Sequence, residues 1–126
     1  MQPSLVGRKT HEESVVVLQT AIAMSMFGGV RKVNPRIVYG SISGFGQDGP
    51  YGARPGVDQI AQGMGGLMSI TGLPGQGPVR VGIPIADLTA GGFLAQGVLI
   101  ALLDRERTGV GRWVTTSLLE AQIAML

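Results

Sequence analysis

A run of β-branched and aromatic residues, Arg36-Ile-Val-Tyr-Gly-Ser-Ile-Ser43, lies between Pro35 and a glycine-dense stretch, and it constrains the fold more than any other feature. Such a run, punctuated at both ends, predicts a strand. Gly44-Phe-Gly-Gln-Asp-Gly-Pro-Tyr-Gly52 is a loop by any turn rule. From Asp58 to Ser69 the period changes: Ile60, Ala61, Met64, Leu67 and Met68 recur at steps of three and four, which predicts a helix. Residues 71–78 form a second glycine/proline loop, and residues 79–85 a short extended piece.

The longest predicted helix runs from Leu88 to Arg107. Its expected buried stripe is Leu88, Gly91, Ala95, Val98, Leu99 and Leu102. Asp87 stands where a cap belongs, Arg105 and Arg107 suit the negative end of the helix dipole, and Gly109 can stop it. Gly91, Gly92 and Gly97 cost helix propensity, so close backbone packing is the expected reason for them. Residues 112–116 read as another strand. Ser117-Leu-Leu-Glu120 matches a capping box that opens a last helix, whose apolar run meets no stop signal. Strands alternating with helices predict an α/β fold with a largely parallel sheet.

The 126 residues leave room for one domain at most. With 21 glycines and 5% aromatics, the core must be aliphatic and the backbone must approach something closely at several points. No cysteine is present and His11 is the single histidine, so disulfides, a thiol nucleophile and multi-histidine metal sites are excluded. The basic excess lies entirely in residues 1–33. Residues 34–126 hold six arginines against six carboxylates, so the dense cationic face that nucleic acid requires is missing there. Ser14 to Val30 follows two glutamates where a signal peptide would be basic. Leu88 to Leu103 is short and glycine-rich for a membrane span, so no membrane role is expected. Val15 to Phe27 shows no clear period, and residues 1–33 read as a segment distinct from the rest.

The run from Asn34 to Tyr51 resembles the family III CoA-transferases (the CaiB/BaiF family, which includes formyl-CoA transferase-like proteins). The likeness continues through Arg54-Pro-Gly-Val-Asp-Gln-Ile-Ala-Gln62, residues 63–72, Val79 to Leu88, Thr108 to Arg112 and Ser117 to Gln122. The resemblance implies a partial, incomplete nucleotide-binding-like three-layer α/β fold over residues 34–126, preceded by an atypical segment over residues 1–33. It further implies a cytoplasmic enzyme, homodimeric in its full-length form, that handles coenzyme A as acyl-CoA together with a carboxylic acid and uses no metal.

Ser43, Gly44, Phe45 and Gly46 are the expected CoA-binding turn. Glycines after a parallel strand expose backbone N–H groups to an anion, although a lone glycine turn can equally serve only a positive φ. Some relatives carry lysine where Ser43 stands. The resemblance implies an aspartate nucleophile in the loop after Thr71-Gly72, where this chain has Gly75, and no acidic residue lies between Asp58 and Asp87. Asp87 matches an acid/base aspartate of the family's acyl-CoA racemase branch, and it could instead be a helix cap. Asp58 could be a second carboxylate of the pocket or a cap of its own helix, the latter favoured. A histidine of the racemase branch is replaced by Val57. Asp87 and Asp58 are therefore the candidate catalytic residues. Trp113 is expected in the core. Three functions follow: CoA transfer between carboxylic acids, α-epimerisation of an acyl-CoA, and a non-catalytic fragment that associates through its apolar edge at residues 118–126.

Overall fold

The structure, a computed structural model, describes residues 15–18 and 23–126. The readings made above for residues 1–14 and 19–22 lie outside the described residues. Strand β1 (Val15–Leu18) is followed by helix α1 (Ala23–Val33) and strand β2 (Val38–Ser43). Helix α2 (Asp58–Met64) leads into a 3₁₀ turn, and helix α3 (Ile85–Thr108) is followed by strand β3 (Trp113–Ser117) and helix α4 (Leu118–Ile123). The sheet is parallel throughout, in the order β1-β2-β3. The expected α/β class with parallel strands is therefore what the chain adopts, and β1 joins residues before position 34 to the same sheet as those after it.

Strand β2 is central and buried from Val38 to Ser41 because its two faces meet different helices. On one face, Tyr39 lies 5.7 Å from the Phe27 ring of α1, and Trp113 stacks on the same ring at 5.9 Å. On the other face, Gly40 admits the Leu94 side chain of α3, and Gly97 of α3 sits over Val114. Helices thus cover both faces, making three layers. Trp113 is half-buried, and its indole N–H donates to Ser41 Oγ at 2.8 Å, which satisfies the polar edge of a ring otherwise packed on apolar neighbours.

Several expectations are corrected. Helix α3 begins at Ile85, three residues before the expected start, because Pro84 supplies the first helical acceptor to Leu88 N–H at 3.0 Å. Its buried face is Ala86, Ala90, Leu94, Ala101 and Arg105; Leu88 and Leu99 of the expected stripe are 57% and 61% exposed. A helix that is apolar nearly all round offers no dominant period, so packing selects the face with small residues, which allows closest approach. At 24 residues α3 is long and apolar enough, by length and composition, to cross a membrane, so the shorter segment read from the sequence understates it. Gly91 and Gly92 face open space. Of the three helical glycines read as packing positions, Gly97 alone meets a neighbour: a Cβ there would lie 2.6 Å from Val114 Cγ1. Helix 58–69 breaks at Gly65-Gly66, where Gly66 has φ +90°. Residues 79–85 form no regular strand before α3; Val79 N–H donates to Met68 O instead.

The capping box holds: Glu120 N–H donates to Ser117 Oγ at 3.1 Å. Gly109, with φ +71°, closes α3 and donates to Arg105 O. Two residues on, Gly111 runs directly against the Ile37 carbonyl, so any Cβ there would overlap backbone that cannot move aside. Gly111→Ala is expected to cost about 3 kcal/mol in a urea melt, whereas Gly92→Ala, in open space within α3, should stabilise by about 1 kcal/mol. Equal midpoints for the two variants would contradict this packing.

Candidate functional site

In parallel α/β sheets, ligands bind beyond the carboxyl ends of the strands. Here β2 ends at Ser43 and β3 at Ser117, and the start of α3 lies at the same end because α3 runs back along the sheet from Ala86 towards Arg105. Arg105 reaches Arg36 O, before the start of β2, which fixes that direction.

The turn after β2 is shaped by contact between two backbones. Gly44 lies so close to Gly56 that a Cβ on either would overlap the other's Cα. Leu119 N–H of α4 donates to Gly44 O at 3.2 Å. Ser43 Oγ accepts from Gly46 N–H at 3.0 Å, and Gly46 has φ +99°. One amide of the expected anion cradle is therefore already engaged within the turn. Ser43 to Gly46 are half-buried, and a cleft of about 210 Å³ opens beside Gly46, Gln47 and Asp48, bounded by Trp113 and Glu120. Phe45 lies 5.9 Å from the Tyr51 ring, and the Arg54 guanidinium covers Tyr51 at 4.6 Å, placing a cation beside the turn.

The Gly44–Gly56 contact brings Asp58, two residues later, to this end of the sheet. Asp58 is buried, yet it does not cap its own helix: Val57 occupies that position without a side-chain bond. Instead, Asp58 Oδ1 accepts from Ala86 N–H at 2.8 Å and Oδ2 from Gln62 Nε2 at 2.6 Å. Asp58 thus caps α3 from another helix. That contact corrects both cap readings, because Asp87 lies in the first turn of α3, past the cap position, and Pro84 leaves the cap without a side-chain acceptor. A buried carboxylate needs donors to both oxygens, and the first turn of α3 offers an unpaired one.

Asp87 itself is exposed. Desolvation, and secondly the charge of Asp58, raise its pKa above the ordinary 3.8. Asp58 and Asp87 are therefore brought together, while Gly75 stands in the exposed second loop with φ +82°, in a run whose concave side encloses about 420 Å³. Val57 is 55% exposed at the entrance to α2 and offers no proton-transfer group. Among the described residues no cluster suited to a metal ion is present.

Gln62 was missed as a site residue. It is fully buried; Nε2 also donates to Ile83 O at 3.3 Å, and Oε1 accepts from Val81 N–H at 2.9 Å. The signal that could have found it is its i+4 spacing from Asp58, which puts an amide and a carboxylate on one face of a helix.

Residues 27–126 match the model of CoA-transferase family III. The chain is 41% identical over 100 residues to succinate–glutarate CoA-transferase from Agrobacterium fabrum, covering 79% of this chain and 25% of that protein. It is 45% identical over 96 residues to acetyl-CoA:oxalate CoA-transferase from Acetobacter aceti, covering 75% and 25%. The fold is similar to the crystal structure of a CAIB/BAIF family protein from Brucella suis, with a TM-score of 0.81 and 33% identity over 89% of this chain and 31% of that one. The chain spans about a quarter of the length of the curated relatives it matches.

Two outcomes follow from the Asp58–Asp87 geometry. Asp58→Ala strands the Ala86 N–H and one Gln62 donor, and should cost about 2–3 kcal/mol in a denaturant melt. A carboxylate whose pKa is raised by folding binds its proton more tightly in the folded chain than in the unfolded one. The penalty from Asp87 is therefore absent below the ordinary carboxylate value and grows as pH rises through the raised one. The stability of Asp87→Asn relative to the natural chain should increase with pH from about pH 4 and then level off; a difference flat across pH would contradict it.

Proposed function

The chain belongs to CoA-transferase family III, and on that premise we propose that it carries the acyl-accepting carboxylate of a CoA transfer, Asp87, together with part of the CoA-binding surface, Ser43 to Gly46. The observation that carries this reading is the exposed carboxylate of Asp87 in the first turn of α3, at the carboxyl end of the sheet and beside a second, buried carboxylate. It replaces the expectation that an aspartate should stand at Gly75, because no acidic residue occupies the 71–78 loop.

In this reading Asp87 attacks the thioester carbonyl of an acyl-CoA. The C–S bond breaks, CoA leaves as the thiolate, and a mixed anhydride forms on Asp87. The thiolate then attacks the Asp87 carboxyl carbon, releasing the donor acid and leaving an aspartyl-CoA thioester. An incoming carboxylate attacks that thioester carbonyl, the thiolate leaves again, and its attack on the acyl carbon of the new anhydride frees Asp87. Desolvation, which raises the pKa of Asp87, also makes it more basic and hence a better nucleophile once ionised. Asp87 stands in the first turn of a 24-residue helix, and the positive end of that helix dipole would favour an oxyanion developing there.

In the protein that carries this sequence, succinyl-CoA followed by hydroxylamine should convert Asp87 to its hydroxamate, read by peptide mass. Asp87→Asn should lower CoA transfer at least about 1000-fold, the scale on which loss of a nucleophile acts. Transfer by Asp87→Asn within tenfold of the natural protein would sink the assignment.

The closeness of Asp58 to Asp87 favours a second reading, epimerisation at the α-carbon of an acyl-CoA with Asp87 as the acid/base group. Deuterium from solvent would then enter the α-position without any acceptor acid.

A further inference from the structure

Asp87 is held in place by contacts that come from outside its own helix. The lead-in, residues 79–84, belongs to no strand; Val79 N–H donates to Met68 O at its start. Val81 N–H is bonded to Gln62 Oε1, and Ile83 O accepts from Gln62 Nε2. Ala86 N–H is bonded to Asp58, whose other oxygen is bonded to the same Gln62 amide. One side chain therefore contacts the segment before α3 at two points and the carboxylate that caps α3 at a third. The backbone carbonyl of Gln62 accepts from Gln122 Nε2 at 3.4 Å, which links the junction to α4.

A fully buried amide is costly unless every polar atom is matched. An apolar residue of the same length would fill the space without that requirement. What the amide adds is direction: its donor and acceptor are aimed at groups whose positions determine where the first turn of α3 begins.

We propose that Gln62 is a positioning residue for Asp87: its amide orients the Asp58 carboxylate and the 81–83 backbone together, and so sets where α3 presents Asp87. The inference rests on the reading of Asp87 as the reacting carboxylate, but its test does not require turnover.

The experiment compares the natural chain with Gln62→Met, which keeps length and volume but loses both hydrogen-bonding functions, by residue-resolved amide exchange and by titration of the Asp87 carboxyl carbon. Exchange at Val81 and Ala86 should quicken at least tenfold in Gln62→Met, while Tyr39 and Ile42 in β2 stay unchanged, and the Asp87 midpoint should fall as its surroundings gain water. Unchanged exchange at Val81 and Ala86, or equal acceleration in β2, would overturn the proposal, the latter because it would show a role in stability alone. Should Gln62→Met not fold, Gln62→Glu decides. It retains the acceptor for Val81 but offers Asp58 a donor only when protonated, so Ala86 protection should be within about twofold of the natural chain at pH 5 and at least tenfold lower at pH 8. Protection that does not vary between those values would count against Gln62. A protein that moves no CoA would remove the assigned role of Asp87 and leave these exchange results standing.

Discussion

The carboxylate of Asp58, reaching out of α2 to accept the Ala86 N–H of α3, is the joint on which the rest of this end of the molecule depends. It satisfies two requirements with one group. A helix starting at Pro84-Ile85 has no side-chain cap of its own, and an acidic side chain buried between helices needs donors. The neighbouring core makes the reach possible. Ala61, Ala86, Ala90 and Ala121, with Leu118, form the buried cluster between α2, α3 and α4, and Ile42 packs against it from the sheet. Small side chains let the three helices close to hydrogen-bonding distance.

The turn after β2 is governed by a related constraint. Gly44 and Gly56 are in backbone contact, so this turn cannot shift away from the start of α2 without opening that contact. The loop expected to receive CoA and the carboxylate at α3 are thus connected through rigid pieces: Gly44 to Gly56, then Asp58, then Ala86, one residue before Asp87. A site with one group on a strand end and another on a helix start needs such a connection if their separation is to be reproducible.

The kinship with CoA-transferase family III gives this geometry its chemical setting. The relatives are about four times as long as the matched region. Within the described residues, Arg54 brings a positive charge to the turn by covering Tyr51, whose ring lies against Phe45.

Much of this was legible in the residues themselves. The β-branched run at 36–43, the glycine loops, Gly109 as a helix stop and the Ser117–Glu120 capping box each depend on neighbours a few positions away, and each appears in the structure close to where local rules put it. The order of motifs carried the family. What local pattern did not determine is which face of α3 is buried, because that helix is apolar on nearly every side and small residues, rather than large ones, decided the contact. Nor did it determine the partner of Asp58. At the start of a helix an aspartate reads as that helix's cap, and only the folding of α2 against α3, bringing together residues 28 positions apart, made it the cap of another. Short-range preference is written into sequence; the choice between equivalent partners is made by packing, which depends on the whole chain at once.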